Sequence, residues 1–385
     1  MSVLRHLLAI VPIVWLAACG TAESPPSGPH LQFLGHYDMP SGLDLSALGM
    51  PGVPFGGISG IDRDPATGIF HLISDDRSQR GPARSLTARI DADLSGIHGV
   101  TLLSAPPLRD GAGQFFPRSG SGMPAVDPEA IRVDPVTGGH FWTSEGDPVA
   151  GGDPLLMLAA PDGSGSTAMA LPPAWHFDPA GRMGPRPNMT LEGLALSPDG
   201  SLILAMEGPQ VQDGSPASPD HGALTRLTRL ARTGEVLAQW VYPLDPIPQQ
   251  PGTQPVDNGV SEIALLDERH LLVLERAGLK RPDGRFTFDV RLYLADLATG
   301  DDIAAVPTLM IRPDVRPVAK RLLFASGHLP GRLASQNKEG MVLFPDPGTG
   351  RRLLLLVSDD NFDKDQRSRF LLFVIGGDMD SLNTR

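Results

Sequence analysis

The sequence predicts an all-β fold, a β-propeller of five blades, on three observations. Gly (44 residues) and Pro (39) are spread through 385 residues with no collagen-like period, which argues against a helical bundle. Helical periodicity is nearly absent, and short apolar runs are bounded by Asp, Pro and Gly. Self-comparison then finds five segments on one plan: an acidic or Ser/Gly start, an apolar run, a tight turn, a second apolar run and acidic residues. A four-stranded unit repeated radially is a propeller, which protects its sheet edges by closing the ring.

Ahead of the repeats, Arg5 and the apolar run Leu7–Leu16 read as a signal segment, too short to span a bilayer permanently. It ends in Leu16-Ala17-Ala18-Cys19, similar to a bacterial lipoprotein cleavage box in which the chain's single Cys would carry the lipid. Residues 1–18 are therefore expected to be a lipoprotein signal peptide, 19–29 a flexible Ser/Pro/Gly-rich tether, and 30–385 one propeller domain. Gly20, where a retention Asp would otherwise stand, favours an outer-membrane anchor facing the periplasm. Leu31–Tyr37 is a spare strand expected to close the ring against Phe370–Phe373.

The first hairpin runs from Ser59-Gly60-Ile61 through Asp64-Pro65 and Thr67-Gly68 to Ser74-Asp75-Asp76. The second runs from Glu129-Ala130-Ile131 through Asp134-Pro135 and Thr137-Gly138 to Ser144-Glu145-Gly146. The third joins Glu192-Gly193-Leu194 to Glu207-Gly208 through Pro198-Asp199-Gly200. The fourth joins Ser261-Glu262-Ile263 to Glu275-Arg276, and the fifth Glu339-Gly340-Met341 to Ser358-Asp359-Asp360. Weaker strand material follows each: Leu86–Ile90, Leu155–Ala159, Leu224–Leu230, Val290–Leu294 and Phe370–Ile375. Residues 106–128 and 210–222 read as face loops, and a sixth blade would need a degenerate repeat inside Leu309–Phe324.

A net charge of −12, from 32 basic and 44 acidic residues, disfavours nucleic-acid partners. One Cys permits neither an internal disulfide nor a Cys-rich zinc site. The expected partners are a small-molecule substrate and a membrane reached only through the lipid, with the chain a monomer.

In an antiparallel hairpin, the start of one strand and the end of the next lie together. The repeats should therefore gather Asp75, Asp76, Glu129, Glu145, Glu192, Glu207, Glu262, Glu275, Glu339, Asp359 and Asp360 at one mouth of the ring. Carboxylates so close must be protonated, paired or bound to a cation. Hard oxygens on Gly-flanked turns suit Ca²⁺ best and Mg²⁺ second. Arg77, Arg276 and Lys338 lie beside these acids and could pair with them. The competing account is structural: acids at strand ends can bind the neighbouring blade's N–H groups and lock the ring. No P-loop, dinucleotide fingerprint, H-E-x-x-H or G-x-S-x-G elbow occurs.

The stretches FGGISGIDRDPATGIFHLISDDRS (55–78), DPEAIRVDPVTGGHFWTSEGD (127–147), LEGLALSPDGSLILAMEGP (191–209) and GVSEIALLDERHLLVLERA (259–277), with KEGMVLF and LLLLVSDDNF within 338–362, resemble the "esterase-like activity of phytase" family. The resemblance implies phosphoester or ester hydrolysis and, by kinship with β-propeller phytases, calcium held by acids at one channel mouth. On that reading Glu129, Glu192, Glu262 and Glu339 would be central ligands, Glu129 and Glu192 with Arg77 and Arg276 would act on the substrate, and the remaining acids would be outer ligands or the general base. A noncatalytic ligand-binding propeller of the envelope and a lactonase-like metal-dependent propeller remain open beside it.

Overall fold

The computed structural model describes residues 28–377. The signal peptide, Cys19 and most of the tether lie outside the described residues. Twenty strands form five antiparallel four-stranded sheets, and no α-helix occurs among the described residues.

Blade one comprises β2 (Ile58–Arg63), β3 (Phe70–Ser74), β4 (Arg84–Asp93) and β5 (Gly96–Ser104). Blade two comprises β6 (Pro128–Val133), β7 (His140–Ser144), β8 (Leu155–Ala159) and β9 (Ser166–Ala168). Blade three holds β10 (Leu191–Leu196), β11 (Leu202–Met206), β12 (Ala223–Leu230) and β13 (Val236–Leu244). Blade four holds β14 (Gln254–Leu265), β15 (His270–Lys280), β16 (Phe286–Asp296) and β17 (Ala319–Ala325). Blade five takes β18 (Asn337–Pro345), β19 (Arg352–Asp359) and β20 (Arg369–Gly376) from the end of the described chain and β1 (His30–Asp38) from its start. The sixth-blade alternative falls away, because the interval from Leu309 to Phe324 supplies part of β17 and a loop, not another sheet.

The hairpins form where the sequence repeats its turn chemistry. Asp64 accepts from the Ala66 N–H and the Thr67 hydroxyl, and Asp134 does the same for Val136 and Thr137. Gly68 (φ +74°) and Gly138 (φ +75°) complete these turns in the left-handed region, where a side chain would be strained.

The seam closes as the spare strand suggested. Leu31 lies opposite Ile375, Phe33 opposite Phe373 and Tyr37 opposite Phe370. Arg369 clamps the Asp38 carboxylate at one end of this ladder. The hydrophobic cores lie between sheets, so β19 is buried on both faces and Leu353–Val357 reads as an unbroken apolar run.

Around the axis the innermost strands touch in the order β2, β6, β10, β14, β18 and back to β2. Small residues make that closeness feasible. A Cβ on Gly60 would lie 2.5 Å from the Glu129 carbonyl oxygen, and one on Gly340 3.1 Å from that of Ser59.

Candidate functional site

Each inner strand bulges at its mouth end, with register breaks at Ile58/Gly60, Pro128/Ile131, Leu191/Gly193, Val260/Glu262 and Lys338/Gly340. A bulge leaves a residue unpaired and re-aims its side chain. The positions so released are Ser59, Glu129 with Ala130, Glu192, Ser261 and Glu339. Three are glutamates, and they line a cavity of about 310 Å³ together with Asp75, Asp76, Asp127, Glu145, Arg77 and Arg276.

Two groups of carboxylates there have oxygens within 4.8 Å of one another: Asp127, Glu129 and Glu145, and Glu145, Glu192 and Glu207. Glu145 belongs to both, and one of its oxygens accepts from the Thr190 N–H at 2.7 Å. Asp359 and Glu207 sit just behind the cavity wall, buried. Gly57 (φ +62°) makes room for Asp75, whose Oδ1 would lie 2.2 Å from a Cβ at that position.

Eight carboxylates (Asp75, Asp127, Glu129, Glu145, Glu192, Glu207, Glu339 and Asp359) thus share the mouth with the guanidinium groups of Arg77 and Arg276, and Arg80 stands at its edge. Arg276 donates to Glu207 at 2.9 Å and lies 3.6 Å from Glu339. Arg77 stands 3.6 Å from Asp127 and 3.5 Å from Asp147. Burial opposes the charge on Arg276, but Glu339 and Glu207 outweigh it and push its pKa up.

The carboxyls respond in the opposite sense. Burial, then repulsion from Glu192 and Asp127, pushes Glu129 well above the ordinary range. Burial with Glu207 and Glu145 does the same to Glu192, and burial with Asp359 and Glu339 to Asp75. Asp127, buried beside Glu145, is pushed up to about 8.

Three buried oxygens, Asp75 Oδ1, Glu207 Oε2 and Asn337 Oδ1, have no hydrogen-bond donor among the described residues. A buried acceptor without a donor costs about 1–3 kcal/mol. An all-oxygen donor set, negative in excess and holding unpartnered acceptors, fits a hard divalent cation, and Ca²⁺ tolerates its irregular geometry better than Mg²⁺ does.

The remaining sequence-derived residues go elsewhere. Asp76 accepts from Arg84 at 2.7 Å and from the N–H groups of Gln79, Arg80 and Gly81, which fixes the loop beneath it. Asp360 accepts from Gly57, Phe362 and Ser368. Asp360, which takes the Gly57 N–H of the neighbouring blade, fulfils the ring-locking alternative, whereas Asp76 holds a loop of its own blade and also lines the cavity.

Glu262 occupies the next position along from the bulge, the small-residue position of the other blades. It points deeper, accepting from Leu194 N–H and pairing with Arg132 at 2.9 Å. Burial raises it to about 7, against the pull of Arg132.

Glu275 is not brought to the mouth. Neighbouring strand residues face opposite sides, so turning Arg276 inward turns Glu275 outward. There Tyr242, Asn258, Lys320 and the Asp245 N–H satisfy it. Lys338 pairs with none of the acids. Its ammonium donates to the carbonyls of Leu333, Ala334 and Gln336, and burial lowers its pKa to about 7.

Sequence reasoning passed over Asp127, Asp147, Asn337, Arg80 and Phe362. Asp127 precedes its strand by one residue and lacks an acidic counterpart in the other repeats, so repeat alignment gave it no weight. Alignment of Ser261 with Glu129, Glu192 and Glu339 was the signal that would have set Glu262 apart.

A profile of the family described as esterase-like activity of phytase matches residues 53–362. No curated protein matches the chain. Among solved structures it is similar to the tail fiber of Staphylococcus aureus phage P68, at 13% identity over 92% of this chain and 54% of that one, with TM-score 0.36. It is also similar to the Dos1 propeller, at 7% identity over 84% and 70% of the two chains, with TM-score 0.30. A Mycobacterium tuberculosis puromycin-hydrolyzing peptidase follows at 12% identity over 83% and 61%, with TM-score 0.23. The chain spans about half of the tail fiber.

Proposed function

The chain belongs to the family described as esterase-like activity of phytase, a hydrolase-type propeller family, and on that premise we propose that its acidic mouth hydrolyses a phosphomonoester or another small ester with the help of a bound divalent cation. The observation that carries the reading is the excess of buried carboxylates around acceptor oxygens that nothing else in the described chain satisfies. Asp127, Glu129 and Glu145, or Glu145, Glu192 and Glu207, would hold the ion. Calcium there would offset the charge of the ester oxyanion and acidify a water molecule.

The chain's own residues supply the rest. Arg77 and Arg276, each already held by carboxylates, orient an anionic group without adding net positive charge. With the ion on Glu145, Glu192 and Glu207, the carboxyl of Asp127, raised toward neutrality, would keep a proton at its oxygen to give to the leaving group.

The same proposal places the domain at the cell envelope. The acylated thiol of Cys19 would fix it to the outer membrane, the tether leaving the ring free in the periplasm. Loss of fatty-acid labelling in Cys19→Ala would support this, and unchanged fractionation would overturn it.

The decisive experiment is a panel of phosphomonoesters, carboxylic esters and lactones, assayed with calcium and with chelator. Turnover that needs calcium and disappears in Glu129→Gln supports the reading. A folded protein that binds no divalent cation would return the mouth to a noncatalytic role.

A further inference from the structure

A second cavity adjoins the mouth and shares a wall with it. It is a groove of about 320 Å³, at the small end of ligand pockets (about 300–1,000 Å³) and roomy enough for a one- or two-ring group. Its apolar surface comes from Met39, Leu43, Pro54, Phe55 and Phe362. Arg80 and Phe362 line both cavities.

This shared wall is built, not incidental. Asn361 and Phe362 have φ of +48° and +50°, a conformation that a bulky residue adopts only where its surroundings impose it. Carboxylates impose it here: Asp359 accepts the Asn361 N–H at 2.9 Å and Asp360 the Phe362 N–H at 3.0 Å. The Phe362 ring rests against Gly57, where a Cβ would meet it at 2.4 Å. The exposed Arg80 guanidinium lies 4.0 Å from the ring centroid. The acids at the end of blade five therefore hold an aromatic plate, capped by a cation, on the boundary between an acidic cavity and one that joins an apolar floor to a charged rim of Asp363, Lys364 and Arg367.

The charge balance restricts what spans that boundary. Arg77 and Arg276 are engaged by carboxylates, so the mouth has no surplus of cations for a ligand bearing several phosphates. Arg80 supplies one further positive group at the boundary; of the groove's other cations, Lys364 lies 3.6 Å from Asp365 and Arg367 donates to the carbonyls of Lys364 and Gln366.

Resting on the reading of the mouth given above, we propose that the groove is the subsite for the apolar alcohol portion of a monoester, with Phe362 and Arg80 as the specificity residues that set its scissile bond over the acidic mouth. The preferred substrate class is a monoester of an aryl or branched-alkyl alcohol, bearing one anionic group, in preference to a polyphosphorylated polyol.

The test uses the full chain with naphthol, naphthyl phosphate, methyl phosphate and inositol hexakisphosphate. Naphthol should bind saturably by calorimetry even with chelator present, and should still do so in Glu192→Gln. Ser41→Trp, which fills the groove from an exposed position, should weaken naphthol binding by about tenfold or more. It should lower the kcat/KM ratio of naphthyl over methyl phosphate by a similar factor. Gln366→Trp, at another lining position, should repeat the effect if Ser41→Trp folds poorly. Naphthol that does not saturate, a Kd indifferent to both tryptophans, or a preference for inositol hexakisphosphate overturns the proposal. Naphthol binding lost in both tryptophan variants, with no ester turned over, supports the groove and sinks the hydrolytic reading of the mouth alone.

Discussion

Arg132 of the second blade and Glu262 of the fourth meet across the axis of the ring at 2.9 Å, below the acidic mouth. Arg132 also donates to the carbonyls of Ile61 and Ile263, so one guanidinium ties together three of the five blades. Breaking a buried pair strands a charge, which costs about 3–5 kcal/mol, whereas replacing both partners by apolar groups is often neutral. Arg132→Met should therefore destabilise the fold by that amount in denaturant titration. Arg132→Met with Glu262→Leu should recover most of it, and equal losses in the single and double variants would show that the pair itself contributes little.

Calcium should raise Tm. A ligand confined to the folded state stabilises it by about 2.7 kcal/mol at a hundredfold excess over Kd. Glu145 belongs to both carboxylate groups, so Glu145→Gln should remove more of the rise than Glu339→Gln, which alters neither. Identical melting curves of metal-stripped protein with calcium, magnesium and chelator would exclude the site.

The size of that rise should depend on pH. Asp127 moves from 3.8 to about 8 and Glu262 from 4.5 to about 7 on folding. Between those limits the folded state holds protons that the unfolded chain has released. This contribution is fully present at acid pH and is lost as pH rises toward 8. A cation that replaces the mouth protons reverses the trend, so the Tm gap between calcium-loaded and stripped protein should widen from about pH 5 to about pH 8. A constant gap would mean that the cation does not displace protons.

The seam between β1 and β20 should govern stability. Phe373 is 1% exposed and packs its ring 5.4 Å from that of Phe33. Phe373→Ala should cost about 3–5 kcal/mol. Deleting residues 30–38 should lower Tm sharply, while deleting 20–27 should leave it within a degree or two, as scanning calorimetry would report.

Legibility followed the repeats. The first two strands of each blade announce themselves because Asp, Thr and Gly build the same side-chain-supported turn, as at Asp64 and Asp134. The outer strands carry no such mark. Residues 166–168 form a three-residue strand, and β5 buries only Gly96 of its nine residues fully. At the mouth, residue type alone placed Glu129, Glu192 and Glu339 correctly beside the cavity. It could not distinguish Glu262 or Glu275, because one position along a strand reverses the direction of a side chain. Asp76 and Asp360 were indistinguishable from ligands until their backbone N–H partners were known.

Closing the ring with its own two ends also orders events in time. Asp38 and Arg369 are 331 positions apart, so the clamp at the seam closes a loop that contains the four other blades and carries a correspondingly high closure cost. A chain made from its amino terminus presents β1 long before β20 exists, and until then blade five has two open edges able to pair with other chains. The last strand to emerge therefore acts as a latch. Arrest or cleavage before residue 369 would remove the strand that joins β1 to β19 and leave both of those edges open, and the step that fills that gap is where a folding helper would have most effect.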